Sequence, residues 1–395
     1  MNLDLIFIIL FYGLIFLYFI THRKDFEVQS KIFALYRTKL GLKLMDSISR
    51  FKPRFLKVVG YIAVFTGFSG MIVMLYFLFK GAIDMIIKPG GIPTIAPVLP
   101  GVHIPGLPTL SFWHWIIAIF IVAAVHEFSH GVIARLYNIK ITSSGFAFLG
   151  PILGAFVEPD EKSLKKKNNK AQLSVFSAGP FANVILGLLF LLIFSFVFTP
   201  IQNYVFEPNG IIVNQVESNY PASSAGIKAP FTIYKINNDT IKDAQGFLNS
   251  VKDIKPGQKL TIETNKGIFN IITTKDPQNA TRGFIGISDF ALNTQIKDTV
   301  KTKYGDISGV IKWFSLLLFW LVVINLGVGL FNLLPLGPLD GGRMFQVFSG
   351  ILFKNKNKAN RFFVLISWLG ILLILINLWP YISKLLMFFI KPFLG

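Results

Sequence analysis

Six stretches of the chain are apolar for long enough to cross a bilayer as helices: Asn2 to Ile20, Val58 to Phe79, Phe112 to Leu136, Leu173 to Phe198, Val310 to Leu334 and Phe362 to Trp379. Each is near the roughly 20 residues that a helix needs to span hydrocarbon. The first has no basic start and no small-residue cleavage site, so it reads as a retained helix and not as a signal peptide. A further apolar stretch, Ile139 to Val157, is broken by Gly145, Gly150, Pro151 and Gly154 and makes a poor spanning helix. It reads as a re-entrant hairpin with an edge strand able to pair with another chain, or as a loop packed on helix ends. Between the fourth and fifth spans the pattern changes. From Asn209 to Lys275, short β-rich runs such as Ile211 to Val213, Phe231 to Ile236, Leu260 to Thr264 and Ile268 to Thr273 alternate with turn signals, which predicts a small β-rich α/β domain.

Composition agrees with that pattern. A hydrophobic share of 53% against 15% charged residues, with a mean hydropathy of +0.58, is far from a soluble globular make-up and indicates an α-helical polytopic membrane protein. The net charge of +19 is no nucleic-acid footprint, because the basic residues gather in short loops beside the spans: Arg23 to Lys57, Arg135 to Lys170 and Arg343 to Arg361. With alternating helices these clusters share one side, which the positive-inside rule makes cytoplasmic. Both termini, the Lys88 to Ser111 connection and the β-rich domain are then external. The expected organisation is 1–80, two helices joined by a basic cytoplasmic loop; 81–111, an external Gly/Pro-rich connection; 112–200, two helices flanking the broken segment; 201–300, the external domain; 301–352, the fifth helix with the polar, Gly/Pro-rich run at its inner end; and 353–395, the last helix and tail.

Candidate chemistry sits inside the third span, which carries His126-Glu127-Phe128-Ser129-His130. Ionisable groups at membrane depth are costly and mark function by default. At helical spacing His126 and His130 share a face, so both imidazoles can reach one metal ion, with Glu127 beside them as a proton acceptor for water. The alternative is a histidine pair lining a polar cavity or bonding between helices. The chain has no cysteine, so a metal must be held by His, Asp or Glu. Only Gly131 to Ala134 separate the motif from Arg135, whereas about 17 Å of helix precede it, so the site lies near the cytoplasmic face.

A zinc hydrolase site needs a third protein ligand, and the fifth span runs inward to a polar break, Asn332-Leu333-Leu334-Pro335-Leu336-Gly337-Pro338-Leu339-Asp340-Gly341-Gly342, at about the same depth. Asp340 reads as the third ligand or as a helix N-cap. Asn332 reads as a donor to a developing oxyanion or as interhelical glue. Gly179, Pro180 and Asn183 read first as helix packing, with Asn183 also able to orient substrate or a metal ligand. His114 and His103 fall at the outer side, away from the site, and Glu158 and Asp160 read as interfacial.

HEFSH in one span, NLLPLGPLDGG in a later one and AGPFAN at the start of the fourth together resemble the site-2 protease family of intramembrane zinc metalloproteases, of the archaeal and bacterial type with a PDZ-like insertion. The resemblance covers roughly Phe112 to Gly350, and the two N-terminal spans stand as additions to it. Pro221 to Ile227 and Tyr234 to Asn238 are similar to elements of protease-associated PDZ domains, although Ala229-Pro230-Phe231 stands where such domains carry Gly-Asp. The resemblance implies Zn2+ held by His126, His130 and Asp340, Glu127 as catalytic base, and Asn332 beside the scissile carbonyl. It also implies a multi-pass cell-membrane enzyme, with transmembrane proteins as substrates, the lipid bilayer as surroundings and no nucleic-acid partner. The competing readings are a noncatalytic metal-ion carrier using the same three ligands and a pseudoprotease scaffold.

Overall fold

The computed structural model describes residues 3–29, 33–87, 93–102, 104, 106–149, 152–277 and 279–394. His103 and the Gly150-Pro151 corner of the broken segment lie outside the described residues. The chain divides into two compact units, Met1–Ile193 with Leu316–Gly395, and Phe194–Ser315.

The first unit opens with helix α1 (Leu3–Thr21), strands β1 (Phe26–Gln29) and β2 (Phe33–Thr38), and helices α2 (Leu42–Phe51), α3 (Pro53–Ile87) and α4 (Phe112–Leu136). It continues with β3 (Ile141–Leu149), β4 (Ile152–Pro159), the short α5 (Glu161–Lys165) and α6 (Asn169–Ile193). The broken segment is therefore a hairpin. It does not stand alone, because the order β1-β2-β3-β4 makes one antiparallel sheet in which Tyr36 pairs with Phe146 and Phe146 with Ala155. This corrects the reading of Arg23 to Lys57 as a plain basic loop: that stretch supplies two strands and the helix α2. Arg37 on β2 bonds Ser143 on β3 at 2.5 Å and ion-pairs with Glu158 on β4, tying the N-terminal segment to both strands of the hairpin. The hydrogen bonds from Arg37 and Ser143 hold the Glu158 carboxyl below its ordinary range.

In the second unit, α6 runs on through a π-turn into α7 (Thr199–Val205) and β5 (Phe206–Val216). There follow α8 (Pro221–Ser224), β6 (Phe231–Ile236), β7 (Asp239–Thr240), α9 (Ala244–Lys252), β8 (Lys259–Thr264), β9 (Gly267–Ile272), β10 (Thr274–Lys275), β11 (Gly283–Phe284), β12 (Ile287–Ile296) and α10 (Asp298–Tyr304). The main sheet has the order β12-β5-β6-β8-β9 with β7 on β6. Alternation places Ile211 and Val213 of β5 and Leu260 and Ile262 of β8 inside, where they meet Phe231, Ile233 and Phe247. Asp243 accepts from the Gly246 amide at 2.7 Å and caps α9, which the sequence pattern does not single out.

The chain returns to the first unit with α11 (Ser308–Phe331), α12 (Asp340–Leu352) and α13 (Lys356–Leu394). Five helical runs are long and apolar enough to cross a membrane: Pro53–Ile87, Phe112–Leu136, Asn169–Val205, Ser308–Phe331 and Lys356–Met387. The first predicted span contributes a shorter apolar stretch, Ile8–Thr21, among the described residues. Small residues let these helices approach closely. A Cβ on Gly67 would strike Met344, and one on Gly187 would strike Leu326. Asn377 of α13 donates to the Leu78 carbonyl of α3 at 2.9 Å, so one buried amide links two helices.

Candidate metal centre

Helix α4 begins at Ser111, whose hydroxyl accepts the His114 N–H, and remains regular through the histidine motif. Four residues of helix bring His126 and His130 to one face, with ring centroids 4.8 Å apart and both side chains buried. His114 is buried in an apolar cluster with Phe112 and Trp115 around it in the sequence, and it is not in the group of potential metal ligands.

The third member comes from the break after α11. Helix α11 ends at Phe331 and α12 starts at Asp340, and in between the chain folds back so that the Gly341 amide donates to the Asn332 carbonyl at 2.7 Å. Side chains at Gly341 and Gly342 would collide with the carbonyls of Leu333 and Leu336, so the paired glycines are what permit the fold-back. Asp340 therefore opens a helix at its first position, with Leu339 as the cap residue. Its Oδ2 lies 2.9 Å from His126 Nε2 and 3.2 Å from His130 Nε2. These three ligand atoms all lie within 4.8 Å of one another.

The surroundings fit a metal. His130 Nδ1 faces the Val175 carbonyl at 2.7 Å, an acceptor only, so that nitrogen carries the proton and Nε2 presents its lone pair to the site. His126 Nδ1 meets the amide of Asn183 at 3.0 Å, while Asn183 Oδ1 is buried without a partner. A half-turn of that amide gives the oxygen the Nδ1–H of His126 and frees the second Nε2 in the same way. Asn183 is fully buried on α6, and its place behind His126 makes it a positioning residue that the AGPFAN stretch only hinted at. Gly179, one turn earlier, leaves a hollow: a Cβ there would crowd both Nε2 atoms, at 2.6 Å from that of His126. Two imidazole nitrogens and one carboxylate oxygen are donors suited to zinc, and no thiolate is available in the chain.

His126, Glu127, His130, Asn332 and Asp340 all line one cavity of about 240 Å³, together with Arg343. Glu127 is oriented by β4: its Oε2 accepts the Val157 N–H at 3.1 Å. Asn332 gives one amide hydrogen to the Val328 carbonyl at 3.1 Å and keeps the other, since a primary amide has two. The Val157 bond also fixes the polarity of the β4 edge. Because N–H directions alternate along a strand, Val157, Ala155 and Leu153 point away from β3, and β4 is the free edge while β3 is paired on both sides. Phe146 and Phe148 on β3 are thus interior to the sheet, and an edge strand expected anywhere in Ile139 to Val157 is specifically β4.

Comparison with known proteins identifies the family. A protein of Methanocaldococcus jannaschii is 31% identical over 368 residues, covering 91% of this chain and 90% of its own. The zinc metalloprotease RasP of Shouchella clausii is 26% identical over 263 residues, 55% of this chain and 60% of that protein. The PDZ domain of an SdrC-like protein from Listeria monocytogenes is 23% identical and covers 23% of this chain and 92% of that one, with a TM-score of 0.19, too low to bear on the fold. The model of peptidase family M50 matches residues 114–377, from the start of α4 into α13 and across every element that builds the cavity. A multi-pass membrane chain with this match and this donor set belongs to peptidase family M50, the site-2 proteases, and is a zinc metalloprotease.

Proposed function

We propose that His126, His130 and Asp340 hold the zinc ion and that Glu127 and Asn332 act on the peptide bond of a transmembrane segment. The observation that carries this reading is the convergence of the three ligand atoms within 4.8 Å in a cavity that Glu127 and Asn332 also line. Bound zinc supplies Lewis acidity towards a water and towards the scissile carbonyl. Glu127 takes the water's proton and later delivers it to the leaving nitrogen, and the Val157 N–H keeps its carboxylate turned to the site. The free amide hydrogen of Asn332 stabilises the oxygen on which charge develops. One zinc per chain is expected. Elemental analysis of purified protein should find it in the wild type and find it depleted after His126→Ala or Asp340→Ala; full occupancy in both variants would remove these residues from the ligand set.

A transmembrane helix hides its carbonyls in its own hydrogen bonds, so a substrate must be held unwound while those groups find new partners. Strand addition to β4 supplies them. Pairing to the outward N–H groups of Leu153 and Ala155 ends where Val157 is engaged by Glu127, which sets the scissile bond next to the site. Ala155→Pro deletes one outward donor. It should slow cleavage of a stably helical substrate by about tenfold with zinc retained, for one ladder bond of about 1 kcal/mol or more. A substrate already loosened by Gly or Pro near the cleavage point should be partly spared; equal loss on both would refute the strand role.

The basic loops support a site near the cytoplasmic face with the β-rich domain external, serving as a PDZ-like filter or tail-binding module for trimmed substrates in regulated intramembrane proteolysis. A reporter joined after Lys167 should read cytoplasmic and one within 242–275 external. The reverse pattern would invert the whole assignment.

A further inference from the structure

Beside the cavity of the metal site, two further cavities are built on the same helices. One, of about 510 Å³, is lined by Asp46, Ser49 and Arg50 of α2, Arg135 at the end of α4, and Lys140. The other, of about 390 Å³, is almost wholly apolar and is lined by Ile48 of α2, Val59 of α3, Phe128, Ser129 and Val132 of α4, and Phe181 of α6. On α2 the lining changes from apolar at Ile48 to polar at Ser49 and Arg50, and on α4 it changes from Ile133 to Arg135. The two cavities therefore adjoin along α2 and the end of α4.

Three features give this pair of cavities one occupant. Arg135 is matched by Asp46, with Nε 3.1 Å from Oδ1, whereas among the described residues Arg50 and Lys140 have no anionic partner within ion-pair distance and are exposed. Leu44, Ile48 and Phe51 form an exposed apolar stripe along α2 at 55%, 36% and 78% exposure, the mark of a helix lying in the membrane interface with its polar side at headgroup depth. The apolar cleft adjoins it at Ile48, between helices that are themselves long and apolar enough to span a membrane.

We propose that these cavities form a phospholipid site, in which Arg50 and Lys140 hold an anionic phosphate headgroup and an acyl chain fills the cleft beside Val59. Basic pockets between spans recognise such headgroups by charge. The protein, reconstituted in phosphatidylcholine nanodiscs with a minor fraction of phosphatidylglycerol, should retain phosphatidylglycerol selectively through detergent washing, read by mass spectrometry of bound lipid. The R50Q/K140Q variant should bind it about tenfold more weakly, as two interfacial cations are removed. Val59→Trp, which fills the cleft, should also lower retention, and both variants should keep the zinc content of the wild type, which reports that they fold. Excess inorganic phosphate should not displace the lipid. Equal retention of phosphatidylglycerol by R50Q/K140Q and wild type, or equal retention of phosphatidylcholine and phosphatidylglycerol by wild type, would overturn the proposal. Displacement by inorganic phosphate would make this a free-anion site instead. Slower cleavage of a transmembrane substrate by Val59→Trp with lipid retention unchanged would assign the cleft to substrate.

Discussion

Glu127→Gln is expected to leave zinc bound and to reduce peptide cleavage by at least about a thousandfold, within the range general acid–base groups contribute. Glutamine is nearly the same size and still accepts the Val157 N–H through its amide oxygen, so the cavity and the β4 edge should keep their form. What it cannot do is take a proton from water. The paired measurement is zinc content and turnover of a transmembrane substrate on the same preparation. A metal-ion carrier built on the same three ligands would be nearly indifferent to this change, because Glu127 is not in the group of potential ligands. Retained cleavage would therefore defeat the protease assignment of Glu127, and lost zinc would move Glu127 into the ligand set.

Gly179→Ala should be as severe through a different route. The added methyl would be driven against both Nε2 atoms, the ones proposed to face the metal, and the site would have to open. Zinc affinity, read by competition with a chelator, should fall by about a hundredfold or more, at or beyond the upper end of what loss of an outer-shell partner costs. Gly187→Ala serves as the control, since its methyl would meet Leu326 and not a histidine. It should lower thermal stability and leave zinc affinity near the wild-type value. Equal zinc loss in both variants would mean that α6 packing in general, and not the hollow at Gly179, governs the metal.

The histidine motif is legible because helical periodicity is local: spacing alone puts His126 and His130 on one face. Asp340 is legible for another reason, since prolines and glycines interrupting an apolar run at membrane depth need a protein cavity to line. For Asn183 its own segment leaves helix packing and orientation of a ligand both open. The choice between them comes when α6 packs against α4 and one orphaned oxygen is found behind His126. The strands β1 and β2 are hidden for a similar reason. Pairing such as Tyr36 with Phe146 joins residues more than a hundred positions apart, and the clustered charges from Arg23 to Lys57 account for themselves as a topology signal before any strand is considered. Without β2, β3 looks as free as β4, which is why the edge could not be chosen from sequence.

The hairpin of β1 and β2 also decides what the hydrolytic machinery can mistake for its substrate. A sheet has two sides that can recruit an extended chain, and only the β4 side ends at Glu127. By occupying the flank of β3, the N-terminal hairpin removes a decoy berth next to the one proposed on β4 and moves the other open flank out to β1, where Glu27 places a charge that Arg37 anchors at 2.6 Å. Trimming the chain back to the first histidine helix would spare every proposed metal ligand and yet expose β3. Such a shortened enzyme would capture unwound segments on the wrong flank, where they would sit idle and compete with those awaiting cleavage.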